Sequence, residues 1–270
     1  MILVNGAVSD TVPVIDRGFA YGDGVFRTLQ VRSGRPLAWR YQFRRLQHDC
    51  SAIGIACPSE AVLRNEIARV AEHERICAVK IMVTRGPGQR GYAVPRESQP
   101  ARIVMSTPLP PYPTSWSETG IRARICSLRL GFQPALAGIK HLNRLENVLA
   151  RQEWQDPDIA EGLLLDAESN VIGGTMTNVF MVRNDALLTP DLRRCGVSGA
   201  TRDRIFDCAA AHGIACTVSD VPLNEALQAD ELIVANSLIG VWQVRELNDR
   251  EWAPGTMTRT IRRWLDEEED

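Results

Sequence analysis

The apolar run Ile2 to Val4 stops at Asn5-Gly6 and resumes at Ala7-Val8, the pattern of a strand, a tight turn and a returning strand. Asp16 to Gly24 is rich in glycine and polar residues and predicts a loop whose backbone takes unusual angles. Val25 to Val31 predicts a strand, and Ser33-Gly34 turns into a short return over Arg35 to Leu37. From there the period changes. Trp39, Phe43, Leu46, Cys50 and Ile53 recur at helical spacing, and Ser59 is placed to cap a second helix reaching Glu72. Ile76 to Val83 and Ala101 to Ser106 predict further strands, separated by the Gly/Arg loop Thr84 to Tyr92.

Pro108-Leu109-Pro110-Pro111-Tyr112-Pro113 carries four prolines in six residues and fits neither a helix nor a central strand. A domain boundary belongs there, giving a small N-terminal domain over 1–107, a linker over 108–119 and a large C-terminal domain over 120–270. Beyond it, Ile121 to Ser127 predicts a strand and Asn143 to Gln155 a helix. Gly162 to Leu165 and Asn178 to Val182 predict buried strands around a kink at Gly173-Gly174-Thr175. Gly196 to Thr201 opens a helix to His212, Glu231 to Ala235 and Val241 to Val244 predict short strands, and Thr256 to Glu267 a last helix. There are no repeats. Strands and helices alternate irregularly, so the class is mixed α/β (α+β) in two domains.

Composition narrows the partners. The 270 residues are 44% hydrophobic, enough for a sizeable core. A net charge of -2 and a pI near 6.1 give no global attraction to nucleic acid or anionic membrane, although Asp266 to Asp270 is an acidic run. The seven cysteines are scattered and odd in number, without a CxxC pair. They read as reduced thiols of a cytoplasmic protein, not as a disulfide frame or a zinc site. No signal-peptide pattern or membrane-length apolar run is present, and the four histidines lack metal-ligand spacing.

Only two of the 31 basic residues are lysine, Lys80 and Lys140. Lysine differs from arginine in that it can lose its proton and form a Schiff base. Lys80 lies within a strand, where alternation would point it outward. Lys140 follows the flexible Ala137-Gly138-Ile139 and precedes a polar turn, which makes it the candidate for chemistry. Three further features suit an anion. The Gly196 to Thr201 loop leads into a helix N-terminus, one of Arg44 and Arg45 should face inward, and Asn236-Ser237 ends a strand. Each alone is a common structural feature. Together with a lysine nucleophile they meet the needs of a phosphorylated aldehyde, pyridoxal 5'-phosphate.

Several long segments carry a resemblance over nearly the whole chain. They are Tyr21-Gly22-Asp23-Gly24-Val25-Phe26-Arg27-Thr28, Arg45-Leu46-Gln47, Arg85 to Tyr92, Leu136 to Glu146 and Thr175-Met176-Thr177-Asn178-Val179-Phe180. The chain resembles the fold-type IV pyridoxal-phosphate enzymes, which include branched-chain and D-amino-acid aminotransferases. Ile139 to Arg144 and Arg90-Gly91-Tyr92 are nearer to the family's lyases, which act on 4-amino-4-deoxychorismate, than to its aminotransferases. The resemblance implies a small and a large α/β domain with the cofactor between them, in a homodimer. It implies that Lys140 holds the cofactor covalently. Arg45 and the amides of Gly199, Ala200 and Thr201 would hold the phosphate, with Asn236 and Ser237 nearby.

The lyase activity so implied yields 4-aminobenzoate and pyruvate for folate synthesis. Lys140 would act as general base, and Thr28 or Tyr92 could protonate the departing ether oxygen. The substrate's two carboxylates require cations, for which Arg90, Arg27 and Arg144 are the candidates. One position departs from the family: a glutamate that pairs with the pyridine nitrogen is replaced here by Gly173, with Asp166 or Glu168 as possible substitutes. Losing that carboxylate weakens the electron sink, more harmfully for transamination than for an elimination that gains an aromatic ring. The alternatives are an aminotransferase of the same fold and a non-catalytic relative.

Overall fold

The computed structural model describes residues 1–267; Glu268, Glu269 and Asp270 of the acidic run lie outside them. The chain divides into two compact units. The first comprises Met1–Pro110 and Ile139–Asn143, the second Pro111–Gly138 and the chain from Arg144 onward.

The first unit contains β1 (Ile2–Val4), β2 (Ala7–Val8), α1 (Arg17–Tyr21), β3 (Gly24–Arg32), β4 (Arg35–Pro36), α2 (Trp39–Ala52), α3 (Glu60–Val70), β5 (Ile76–Thr84) and β6 (Ala101–Thr107). Its strands form one antiparallel sheet in the order β2-β1-β6-β5-β3-β4. Period two decides its faces. Val25, Leu29 and Val31 of β3 and Cys77, Val79, Ile81 and Val83 of β5 are buried with Trp39, Leu46 and Cys50 of α2 and Leu63 and Ile67 of α3. Phe26, Thr28 and Gln30 alternate with the buried set and lie on the other, half-buried face. Arg27 belongs to the core-facing set by the same alternation.

The Asp16 to Gly24 segment is not the loop the sequence predicts. The Asp16 carboxylate caps Gly18 N, and one short helix follows before Gly22 ends it in the left-handed region at φ 68°. Five residues are too few for a helical period to show in the sequence.

The second unit contains α4 (Thr114–Thr119), β7 (Ile121–Leu130), α5 (Leu145–Arg151), β8 (Ile159–Asp166), β9 (Val171–Gly174), β10 (Asn178–Arg183), β11 (Ala186–Pro190), α6 (Ala200–Ala211), β12 (Cys216–Ser219), α7 (Leu223–Ala226), β13 (Glu231–Asn236), β14 (Gly240–Leu247), β15 (Arg250–Glu251) and α8 (Thr256–Glu267). The sheet runs β12-β11-β10-β13-β14-β7-β8-β9, with β15 on β14. Its β7/β8, β7/β14 and β11/β12 pairs are parallel. Apolar residues on both faces bury β10 and β13 up to their last residues: Val179, Met181, Leu232 and Val234 in one cluster, and Phe180, Val182, Ile233 and Ala235 in another with α6 and α8.

Four expectations change here. Thr114–Thr119, placed in the linker, is helical and belongs to the second unit. A single boundary does not describe the division, because Ile139–Asn143 returns to the first unit, where Phe26 N donates to Lys140 O and Leu142 N to Gly24 O, both at 2.9 Å. The helix expected from Asn143 to Gln155 spans Leu145–Arg151 only; Trp154 turns into a buried cluster and donates its indole N–H to Ile159 O at 3.0 Å. Gly173 and Gly174 form a strand paired with Leu164 and Leu163, not a kink. A Cβ on Gly174 would lie 2.5 Å from Glu161 Oε2, so glycine is required there for close approach.

Candidate active site

Lys140 is fixed through its main chain. Its carbonyl accepts from Phe26 N, and its own N–H donates to Asp49 Oδ2 at 3.1 Å. Val25 and His141 form an antiparallel bridge that lays the segment along β3. This approach depends on Gly24, where a Cβ would stand 2.6 Å from Val83 O and 2.7 Å from a Leu142 methyl. The Lys140 ammonium lies 4.6 Å from the Phe26 ring centroid.

Sequence reading missed a neighbour. Lys80 does not point to open solvent; its Nζ lies 4.8 Å from the same Phe26 ring. Register explains it, since Thr28 pairs with Lys80 and Phe26 with Met82, so all four share the half-buried face. Burial pushes the Lys80 ammonium below the usual lysine range. Both lysines of the chain thus meet one aromatic ring, with Thr28 on the same face. The available signal was their shared rarity.

The proposed substrate arginines separate. Arg27 is 2% exposed and ion-paired with Asp49, which is 0% exposed, so it is neither solvated nor presented to a ligand. Arg90 is exposed on the loop after β5, and Arg144 is half-buried at the N-cap of α5. Tyr92 is 86% exposed with its ring edge-on to Tyr21 at 5.5 Å. Arg17 anchors the loop, donating to Gly91 O at 2.9 Å and to Asp23 Oδ2 at 2.8 Å. Asp23 also accepts from Arg85 Nε at 2.7 Å, and Arg85 holds the Ile53 and Gly54 carbonyls. Burial raises the Asp23 carboxyl, but the hydrogen bonds from Arg85 and Arg17 outweigh it and hold the group below its ordinary value. Of the adjacent arginines on α2, Arg44 is exposed and Arg45 half-buried.

In the second unit, Gly138 pairs with Val197: Gly138 N donates to Gly196 O at 3.0 Å and Ser198 N to Gly138 O at 2.9 Å. The loop then enters α6. Gly199 N donates to Asn178 Oδ1 at 2.9 Å, while Asn178 Nδ2 donates to Val197 O at 2.7 Å, so the Gly199 amide serves the loop and not a phosphate. Ala200 and Thr201 occupy the first helical turn, where amides have no carbonyl within the helix to meet. The Thr201 and Ser237 hydroxyls approach to 3.4 Å at this end. Asn236 is a structural cap, its Oδ1 accepting from Leu238 N at 2.8 Å and Ile239 N at 3.0 Å and its Nδ2 donating to Met176 O at 3.2 Å. Two amides and two hydroxyls at a positive helix end suit a phosphate monoester.

The ring-nitrogen partner is absent from its expected position. Both proposed substitutes are engaged elsewhere: Asp166 caps its own turn through Glu168 N at 2.9 Å and Asn170 N at 2.8 Å, and Glu168 accepts from Arg194 at 2.8 Å. Glu161, unforeseen from sequence, is wholly buried. It accepts from the Thr175 hydroxyl at 2.6 Å, the Thr177 hydroxyl at 2.8 Å and the amides of Gly162, Thr175 and Met176. Burial pushes its carboxyl up against those hydrogen bonds. It shapes the turn after β9. Within the first unit Lys140 offers an amine that suits an aldehyde; within the second the start of α6 suits a phosphate, and position 173 offers no carboxylate for a pyridine nitrogen.

The amino-transferase class IV family matches residues 24–247. The chain belongs to it. This class IV chain is 32% identical over 265 residues to the aminodeoxychorismate lyase of Vibrio harveyi, covering 97% of this chain and 98% of that one. The solved 4-amino-4-deoxychorismate lyase of Pseudomonas aeruginosa is similar with a TM-score of 0.93 and 41% identity, covering 99% of each chain. A putative branched-chain-amino-acid aminotransferase of Methanocaldococcus jannaschii is 30% identical, covering 92% of this chain and 88% of that one. The mixed α/β architecture is the one expected of fold-type IV enzymes.

Proposed function

We propose that the chain is a pyridoxal-phosphate-dependent lyase converting 4-amino-4-deoxychorismate to 4-aminobenzoate and pyruvate. The observation that carries the reading is near-full-length similarity to two proteins bearing that lyase name, at 32% and 41% identity. The meeting of Lys140 and Lys80 at Phe26, with Thr28 on the same face, supports it, because a dicarboxylate undergoing proton transfer needs a base, a cation and a hydroxyl together.

When bound, pyridoxal phosphate supplies a carbonyl that captures amines and withdraws electrons from the adjoining carbon. Lys140 would hold that carbonyl, and its amine, when free, would take the proton from the substrate's amine-bearing carbon. The neighbouring carbon–oxygen bond breaks, and the departing enolpyruvyl oxygen takes a proton from Lys140, Thr28 or Tyr92. Of the two hydroxyls, Thr28 is favoured, since it shares a face with Lys80 and Phe26. Lys80 joins Arg90 and Arg144 as a carboxylate partner, replacing Arg27. Arg45, the Ala200 and Thr201 amides and the Thr201 and Ser237 hydroxyls hold the phosphate. Gly173 favours a lyase over an aminotransferase, because an elimination that forms an aromatic ring tolerates a poorer electron sink. The protein acts as a cytoplasmic homodimer. No helix of the described residues is long and apolar enough to cross a membrane.

The test is a visible spectrum of the purified protein followed by pyruvate release from 4-amino-4-deoxychorismate. The cofactor band should vanish in Lys140→Ala, with pyruvate and aminobenzoate formed in equal amounts by the unmodified protein. A bound cofactor that instead accumulates its amine form on adding an amino acid points to an aminotransferase. Absence of any cofactor band after reconstitution overturns both.

A further inference from the structure

Asp49 joins three elements of the first unit. It lies on α2, its Oδ2 is ion-paired with Arg27 of β3, and the same oxygen accepts the Lys140 main-chain N–H at 3.1 Å. Oδ1 faces the ring of His48, with Nδ1 at 3.3 Å. Arg27 and Asp49 are 2% and 0% exposed, so these bonds are shielded from bulk solvent. The Lys140 carbonyl is meanwhile held by Phe26 N at 2.9 Å. Both peptide groups flanking the Lys140 Cα are therefore fixed, one by a strand amide and the other by a buried carboxylate.

We propose that Arg27 and Asp49 form a positioning pair that sets the direction in which Lys140 leaves the main chain, and so governs how fast its amine captures an aldehyde. Arg27 orients the Asp49 carboxylate within the core, and Asp49 anchors the Lys140 amide. Neither touches the reacting atoms. Capture itself is addition of the Lys140 amine to the aldehyde carbon with loss of one water, and its rate depends on holding the amine in line with that carbon. The proposal rests on the reading of Lys140 as the aldehyde-capturing residue.

Two double substitutions isolate the anchor. Both remove the ion pair without stranding a buried charge, a replacement that folded proteins often tolerate. Arg27→Met with Asp49→Leu removes the acceptor facing Lys140, whereas Arg27→Met with Asp49→Asn restores one. Stopped-flow mixing of the full-length apo protein with pyridoxal phosphate should give capture slowed by about 10- to 100-fold in the first variant. The second should return to within about 3-fold of the unmodified rate, with the anchored amide again in place. Capture at the unmodified rate in the leucine variant, or equal slowing in both, overturns the proposal. If the leucine variant fails to fold, hydrogen exchange of the Lys140 amide in the unmodified protein decides. Protection supports the anchor, and exchange as fast as in an open loop overturns it. Lys140→Ala run beside these separates the two ideas: a surviving capture band there removes the reading of Lys140 itself.

Discussion

Lys80 and Arg27 show how a charged residue's role follows from the face it occupies. Both lie on strands of the same sheet, but Arg27 alternates with Val25 and Leu29 toward the core, while Lys80 shares the opposite face with Phe26 and Thr28. A half-buried ammonium loses hydration and gains by meeting an anion, which is why burial lowers its proton affinity when none is present. Lys80→Met is therefore expected to raise KM for a dicarboxylate substrate by about 10- to 100-fold, the worth of one charged hydrogen bond. Retention of the cofactor band would accompany it, because Lys140 is untouched; an unchanged KM would remove Lys80 from substrate binding. The rarity of lysine is what singles out Lys140 in the sequence. The spacing Val25, Arg27, Leu29, Val31 would have placed Arg27 in the core, had the pattern been weighed above the charge. Asp49 could not be found that way, since its bond to Lys140 joins residues 91 positions apart.

At the scale of elements, Asp16 to Gly24 shows why a glycine-rich stretch need not be a loop. Gly22 supplies the left-handed residue that ends α1, Gly24 admits the lysine segment, and Asp23 between them ties Arg17 and Arg85. Asp23→Asn leaves two buried guanidinium groups without their shared carboxylate, and at neutral pH is expected to cost about 3–5 kcal/mol in denaturant unfolding. The pH dependence has a definite sign. A carboxyl held below its ordinary value stabilises the fold fully above the unfolded value of 3.8, and the contribution fades as pH falls through the folded value. The stability difference between the two proteins should therefore shrink in acid; a constant difference would mean that the lost interaction is not ionic. The strands and helices with sustained period two or helical spacing, such as β3, β5, α2 and α8, were legible. The short α1, α4 and α7 were not, because so few residues carry no readable period, and β12 depends on parallel pairing with β11 across the intervening α6.

At the scale of the whole molecule, apolar surface argues for association. Leu145, Val148 and Leu149 occupy one face of α5 and are 60%, 50% and 48% exposed. Val14, Ile15 and Phe19 are exposed in the first unit. Contiguous aliphatic residues on a helix face are costly in water and are commonly covered by a partner, which accords with the homodimer the family resemblance implies. Sedimentation should give twice the chain mass of 30.0 kDa. Leu145→Glu with Leu149→Glu should weaken the dimer by about 100-fold or more, since buried charges opposite one another in a twofold interface repel. The single chain should keep its stability, because these side chains contribute little to its own core. A monomer in the unmodified protein would remove the dimer altogether. A double variant that stays dimeric would move the interface away from α5 and leave its apolar face to be explained by another partner.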